Sequence, residues 1–423
     1  MVFLEPNVAA ELPLNILIVC EHASNVFGGE AMLPLNYFRL LSKKQHQVYL
    51  ITHARVMPTI AQIKDIDQAK VFYVPDTWAH KFLHRLSRHF PERINVVTTG
   101  FLMHLITQFY QWRLARKLVK EKRIQVVHEP APVSATQPSA MFALGVPVVI
   151  GPMNGGMDFP EAFRHMSGMI ERVLYAFMRI FTTMYNLIIP GKFLADILLV
   201  ANERTAKALP KLRLGRVMEL VENGVFSFTE KPKETVQNDE IQVLYVGRLV
   251  DWKMVEIVME AVQRCQERVR LTIVGGGPMR SALEAMSQTL PIKNVEFTGL
   301  VQHTEVNSYY DKADIFVLPS IRECGGAVVL EAMSRGLPTI ATDWGGPADY
   351  LTAESGFLIE PLSKEYMIAQ FANHIDHLAR NPGLRAKMGV AAIERVKNHF
   401  TWDAKIQEIV SIYHQAMTDK NKG

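Results

Sequence analysis

At 423 residues, with 48% hydrophobic and 21% charged side chains, the chain is too long for one ordinary core and too apolar for a disordered or fibrous protein, so two domains of about 200 residues are expected. Its three cysteines, Cys20, Cys265 and Cys324, are scattered and odd in number, which argues against a disulfide framework or a zinc site and for a reducing compartment. Residues 1–200 hold 20 Lys and Arg against 14 Asp and Glu and the remainder 26 against 28, so an anionic partner such as a membrane, a phosphorylated acceptor or nucleic acid competes only with the reading of a plain solvated surface.

The first apolar run, "LPLNILIVC", has no basic segment before it and polar "EHASN" after it, and reads as a buried strand rather than a signal peptide. Strands are then expected at "QVYLIT", "VFYVP", "IQVVHE", "PVVIG" and "DILLVAN", with long helices between them. Between these lies "HKFLHRLSRHF", where Lys81, Arg85 and Arg88 recur at helical spacing opposite Phe82 and Leu86, the pattern of a helix on an anionic surface or of one packed on its own sheet. The apolar run from Val173 to Ile188 is short for a bilayer span and carries Arg179, so it reads as a buried or surface-docking helix. Beyond "VENGV", the turn-rich "SFTEKPKETVQNDE" looks like the start of a second domain, whose strands are expected at "IQVLYVG", "RLTIVGGG", "NVEFTG", "DIFVLPS", "PTIATD" and "GFLIE". Strands alternating with helices imply parallel sheets built from βαβ units, with ligands at the carboxyl ends of the strands. The last segment, "FTWDAKIQEIVSIYHQAM", has helical spacing and Trp402 as an anchor.

Chemistry concentrates in the second half. "IRECGG" delivers Glu323 and the backbone amides of Gly325, Gly326 and Ala327 to the start of the helix "AVVLEAMSRG", where free N–H groups and the helix dipole favour a phosphate. Glu331 lies about one and a half turns along, and helical side chains lean toward the N-terminus, so its carboxylate can face the same crevice. Alone, two glutamates at that spacing are as well explained by solvated surface positions. A strand ending in Gly247 then presents Arg248 and Lys253 in "LYVGRLVDWK", a fork and an ammonium suited to a diphosphate. "IVGGGPMR" and "FTGLV", with Gly299 and Leu300, add strand ends against which a base can lie.

Taken together, "VGRLVDWK", "IVGGGP", "NVEFTGLV", "ADIFVLPSIRECGGAVVLEAMSRGLPTIATDWGG" and "NHFTWD" resemble the successive signatures of retaining family 4 (group 1) glycosyltransferases of the GT-B fold, including the E-x7-E element at Glu323 and Glu331. The first half resembles them more loosely. "VFGGEA" looks like the glycine-rich loop near the donor phosphates, here Gly28 and Gly29, and "VVHEP" like the strand ending in a histidine beside the transferred sugar, here His128. The first glutamate is followed by "CGGAVV" rather than the family's common small-aromatic-glycine pattern, and the resemblance supplies no role for the unusually apolar insert around "GPMNGGMDFP" to "NLIIP".

The resemblance implies an α/β, GT-B architecture of two Rossmann-like doubly wound domains facing across a cleft. The acceptor-side domain would span 1–220 and take back a helix at 400–423, against which Trp402 packs; the nucleotide-sugar domain would span 221–399. It further implies a hexosyltransferase-type enzyme that retains anomeric configuration. In that reading Arg248 and Lys253 stabilise the leaving diphosphate, Glu323 binds sugar hydroxyls, Glu331 the ribose, and His128 the sugar near its reacting face. No cofactor is expected, and no metal, since no D-x-D pair stands in a loop suited to Mg2+. The partners expected are a nucleotide-sugar donor and a saccharide or lipid-linked acceptor, with a peripheral membrane contact and no nucleic acid, in the cytoplasm. A sugar-nucleotide epimerase and a non-catalytic sugar-nucleotide binder are the rival readings.

Overall fold

A computed structural model describes residues 13–24, 29–89, 95, 98–131, 134–166, 182, 184–230, 239–289 and 294–422. The chain forms two compact units: Met1–Gly156 with Val173–Glu222 and Lys405–Gly423, and Met157–Arg172 with Asn223–Ala404.

In the first unit, β1 (Asn15–Val19), β2 (Gln47–His53), β3 (Val71–Val74), β4 (Val126–Glu129), β5 (Val148–Met153), β6 (Ile197–Val200) and β7 (Arg216–Glu219) form one sheet in the order β3-β2-β1-β4-β5-β6-β7. Every pairing is parallel, with Ile16 opposite both Val48 and Val126 at the centre. Central strands are covered on both faces, which is why they read as unbroken apolar runs rather than alternating ones. Helices α1 (Gly29–Lys43), α2 (Trp78–Ser87) and α3 (Thr99–Glu121) connect them.

The second unit contains β8 (Ile241–Val246), β9 (Val269–Val274), β10 (Val295–Gly299), β11 (Ile315–Leu318), β12 (Thr339–Thr342) and β13 (Gly356–Ile359), again all parallel, in the order β10-β9-β8-β11-β12-β13. Its helices include α4 (Val255–Arg264), α5 (Arg280–Thr289), α6 (His303–Lys312), α7 (Ala327–Ser334), α8 (Gly346–Tyr350), α9 (Lys364–Arg380) and α10 (Pro382–His399). Strand order reverses between β8 and β11. The loops leaving these two strands therefore diverge to opposite faces and open a crevice at their carboxyl ends, the position where doubly wound sheets bind ligands.

Each expected strand forms. The sequence reading missed β7, whose residues are partly exposed or exposed at the edge of the sheet. The last helix, α11 (Trp402–Lys422), begins in the second unit and belongs to the first from Lys405 onward. Trp402 stacks on Phe226 of the second unit, ring centroids 5.8 Å apart, just after the chain pairs Val225 with Thr401. Among the described residues no helix is long and apolar enough to cross a membrane. Most of the Val173–Ile188 run lies outside the described residues, as does Gly28; Gly29 opens α1.

Candidate active site

The crevice of the second unit is assembled by backbone ties between loops. The Trp252 carbonyl, in the loop after β8, accepts the N–H of Ile321 at 3.0 Å and the Ser320 hydroxyl at 3.4 Å, which draws the loop after β11 alongside. The Tyr245 phenol donates to the Arg248 carbonyl at 3.2 Å and fixes the Gly247–Leu249 turn from beneath. Gly346 N–H donates to the Glu323 carbonyl at 2.8 Å, bringing in the loop after β12. Gly275, with φ of 142°, passes so close to Gly247 that a Cβ would stand 1.9 Å from the Gly247 carbonyl oxygen, so only glycine serves there.

These ties bring the charged groups together. The Lys253 ammonium contacts the Glu323 carboxylate directly, and both side chains are largely buried. Burial draws the ammonium down to about 8, with the Cys324 sulfur opposing the shift and the Arg248 charge adding to it. Glu323 Oε1 also accepts the Gly326 N–H at 3.1 Å. Gly326 caps α7 with φ of 67°, a left-handed turn that aims the first amides of the helix into the loop. The expected row of amides is thus partly engaged: Gly326 is bonded to Glu323, with Gly325 and Ala327 beside it. Arg248 is exposed at the rim. Glu331 is half-buried on α7, and its Oε2 accepts the buried Tyr310 hydroxyl at 2.9 Å. Gly299 and Leu300 lie at the end of β10, where the Gly299 carbonyl accepts the Gly275 N–H at 2.9 Å and the Leu300 side chain is 84% exposed.

Tyr310, Tyr245 and Trp252 escaped the sequence reading. Each acts through a contact at long or irregular separation, and an aromatic in a strand or helix reads simply as core.

His128 is placed differently from its expected role. It is fully buried in the first unit, with Nε2–H donating to the Gly151 carbonyl and Nδ1 accepting from the Tyr413 hydroxyl, each at 2.6 Å. Burial draws the imidazole down to about 4, so it is neutral, and both nitrogens are consumed within the unit. No polar atom of it remains for a sugar.

Among the described residues one set of possible metal ligands converges, His53, Asp76 and His80, with ligand atoms within 4.8 Å of one another. Each of the three side chains already holds a hydrogen bond or ion pair, while His53 Nε2 is buried without a hydrogen-bond partner. His53 Nδ1 accepts the Arg55 N–H at 3.2 Å, and His80 Nδ1 meets the Thr77 hydroxyl at 2.8 Å. The Arg55 guanidinium holds Asp76 Oδ1 at 3.1 Å. The Asp65–Ile66–Asp67 triplet is likewise committed, Asp65 to Arg39 at 2.6 Å and Asp67 to the Ala69 amide at 3.1 Å.

The sequence profile described as "Glycosyl transferases group 1" matches residues 227–395, the stretch that builds this crevice. Over that stretch the second unit is similar in sequence to the group 1 glycosyltransferases. An uncharacterized glycosyltransferase of Methanocaldococcus jannaschii is 32% identical over 186 residues, 43% of this chain and 47% of that protein. The chain thus spans about half that relative's length. Solved structures share the GT-B fold over nearly the whole chain. Sucrose-phosphate synthase from Thermosynechococcus elongatus superposes with a TM-score of 0.67 at 18% identity, covering 96% of this chain and 100% of that one. HepE of Anabaena, solved in complex with UDP, gives 0.63 at 14% identity over 95% and 100%. The two Rossmann-like sheets expected from the motifs are observed as one parallel sheet in each unit.

The His128 geometry yields a test. His128→Ala should lower the urea midpoint of the protein, a loss of roughly 1–3 kcal/mol from stranding the Gly151 carbonyl and Tyr413 hydroxyl, while nucleotide binding measured by calorimetry stays at the wild-type value. An unchanged midpoint with lost nucleotide binding would return His128 to the active site.

Proposed function

We propose that the protein is a retaining, metal-independent hexosyltransferase that moves a sugar from a nucleoside-diphosphate sugar to an acceptor hydroxyl. The observation that carries this reading is the Lys253–Glu323 contact beside the α7 amides at the strand-order reversal, with Arg248 at the rim. UDP in the fold neighbour HepE is consistent with a nucleoside diphosphate as donor.

In the reaction, the bond between the anomeric carbon and the β-phosphate oxygen breaks and the acceptor oxygen bonds to the same face of that carbon. The acceptor proton passes to the departing phosphate, so no protein base is assigned. Negative charge grows on the diphosphate as the bond lengthens. Arg248 and Lys253 stabilise it, supplying from side chains the charge that a metal supplies in other transferases. The α7 amides hold phosphate; Gly346 of the next loop lies against the Gly325 carbonyl, and Gly326 lies beside the Pro347 ring. Glu323 then turns from Lys253 and Gly326 toward sugar hydroxyls, its place beside both being taken by phosphate. Glu331 accepts from the ribose with the oxygen that Tyr310 leaves free.

The acceptor in this reading is a lipid-linked saccharide of an envelope polysaccharide or glycolipid, reached from the cytoplasmic face of a membrane. The support is the outer surface of α2. Trp78, Phe82 and Leu86 follow one another at four-residue spacing and are 79%, 59% and 38% exposed, with Lys81, Arg85 and Arg88 exposed among them. The face turned inward instead carries His80. A basic surface with a row of large apolar side chains complements an anionic bilayer.

Arg248→Ala and Lys253→Ala should each reduce turnover by roughly 100-fold or more; activity within a few fold of wild type in both would remove them from the leaving-group site. Donor-only incubations with product analysis separate transfer from epimerisation. Glu331→Ala should chiefly weaken nucleotide affinity, and Tyr310→Phe should do so to a lesser degree. Glu323→Ala should chiefly lower the chemical rate, so purely KM effects in both glutamate variants would show the division of roles to be wrong. Co-sedimentation with phosphatidylglycerol-containing liposomes should be strong at low salt, reduced at physiological salt and lost in Phe82→Ser/Leu86→Ser. Failure to sediment at either salt, with full activity on a soluble acceptor, would contradict the membrane contact.

A further inference from the structure

The segment "GPMNGGMDFP", which begins in the last residues of β5 and runs beyond it, takes no role from the glycosyltransferase motifs, yet from Met157 it groups with the second unit. Three consecutive residues each touch a different part of the crevice rim. Met157 lies against Gly345, where a Cβ would stand 2.2 Å from the Met157 methyl carbon. The Asp158 carbonyl accepts the Trp344 indole N–H at 3.0 Å. The Phe159 ring lies under the Arg322 guanidinium, 5.1 Å from centroid to Cζ, and is itself 9% exposed. Arg322 is the residue before Glu323, and Trp344 and Gly345 precede the Gly346 amide that bonds to Glu323. The chain continues as a helical turn, Glu161–Met166, which lines a cavity of about 360 Å3 together with Met254, Glu256, Ser363 and Lys364.

We infer that Met157–Phe159 is a clasp that positions the donor-binding loops, with Phe159 holding Arg322, and through it the Glu323 carboxylate and the α7 amides, in register with a nucleoside-diphosphate sugar. The inference rests on the donor site proposed above. Glycine-rich loops are the least ordered part of a strand-to-helix connection, and here two of them, 322–326 and 343–346, must meet each other and a ligand at once. Fixing both from outside lowers the ordering cost that binding would otherwise carry. A guanidinium over an aromatic face is well suited to this, because it holds the arginine without consuming its N–H donors. The clasp also occupies the neighbourhood in which "CGGAVV" departs from the family's small-aromatic-glycine pattern, so it brings an aromatic ring to that loop from a distant part of the chain.

The test compares Phe159→Leu, which keeps apolar bulk and loses the π face, with Phe159→Tyr, which keeps both, and with Trp344→Phe, which removes the indole donor. In the full-length protein, hydrogen exchange of peptides covering 322–326 and 343–346 should quicken in Phe159→Leu and Trp344→Phe and match wild type in Phe159→Tyr. Affinity for a panel of UDP-, GDP- and ADP-glucose should fall roughly fivefold to tenfold in Phe159→Leu and be restored in Phe159→Tyr, with kcat changed less than KM. Exchange at wild-type rates in Phe159→Leu and Trp344→Phe overturns the clasp. Faster exchange with unaltered donor affinity overturns its positioning role. A wild-type protein that binds no member of the panel counts against the donor site itself, and the exchange rates still decide whether the clasp exists.

Discussion

The contact between Lys253 and Glu323 is the interaction on which the second unit's crevice depends. Two charges taken mostly out of water are costly unless paired and hydrogen-bonded, and each stands on a different loop at the reversal of strand order. Neither loop can move without stranding the other's charge. The pair is completed by a backbone amide, Gly326 N–H to Glu323 Oε1, so the carboxylate sits where an ammonium and a helix N-terminus converge. That is the arrangement an anion requires. Here the protein's own carboxylate satisfies it, and in the donor reading proposed above a diphosphate entering the crevice would exchange with a group of like charge rather than create a new charged cluster.

This explains why neutral aromatic residues surround the charged ones. Tyr245 fixes a carbonyl, Tyr310 a carboxylate oxygen and Trp344 a carbonyl of the preceding chain, each with a single donor on a rigid ring. Tyrosine and tryptophan combine a large buried surface with one directed hydrogen bond, which positions a polar group without adding charge to the crevice.

The two sheets were legible in the sequence because strands covered on both faces must be apolar throughout. The edge strand Arg216–Glu219 was not, since its side chains meet water and lack that pattern. Arg248 and Lys253 could be located because they follow a strand that ends at Gly247, and Glu323 and Glu331 because they flank the Gly325–Gly326 pair that opens a helix. What lay beyond reach were the partners. Tyr413, 285 residues after His128, turns a strand-end histidine into an interior one, and Phe159 reaches Arg322 from a segment that follows a strand of the other sheet. Local pattern determines which element a residue joins, while contacts across such separations determine whether its polar atoms remain available.

Helix α2 shows the same limit in reverse. Amphipathic spacing alone permits the apolar row to pack inward, the arrangement expected of a helix on its own sheet. In the structure the inward position is held by His80, fixed at Nδ1 by the Thr77 hydroxyl and at Nε2 by Thr107 Oγ1 at 3.0 Å. The Thr107 hydroxyl donates onward to the Met103 carbonyl, so the chain of donors closes without water. An imidazole satisfied in this way cannot be rotated outward without breaking each of those bonds. The helix is therefore locked with Trp78 and Phe82 in solvent, an orientation that forgoes about 25 cal/mol for every Å2 of apolar surface left exposed.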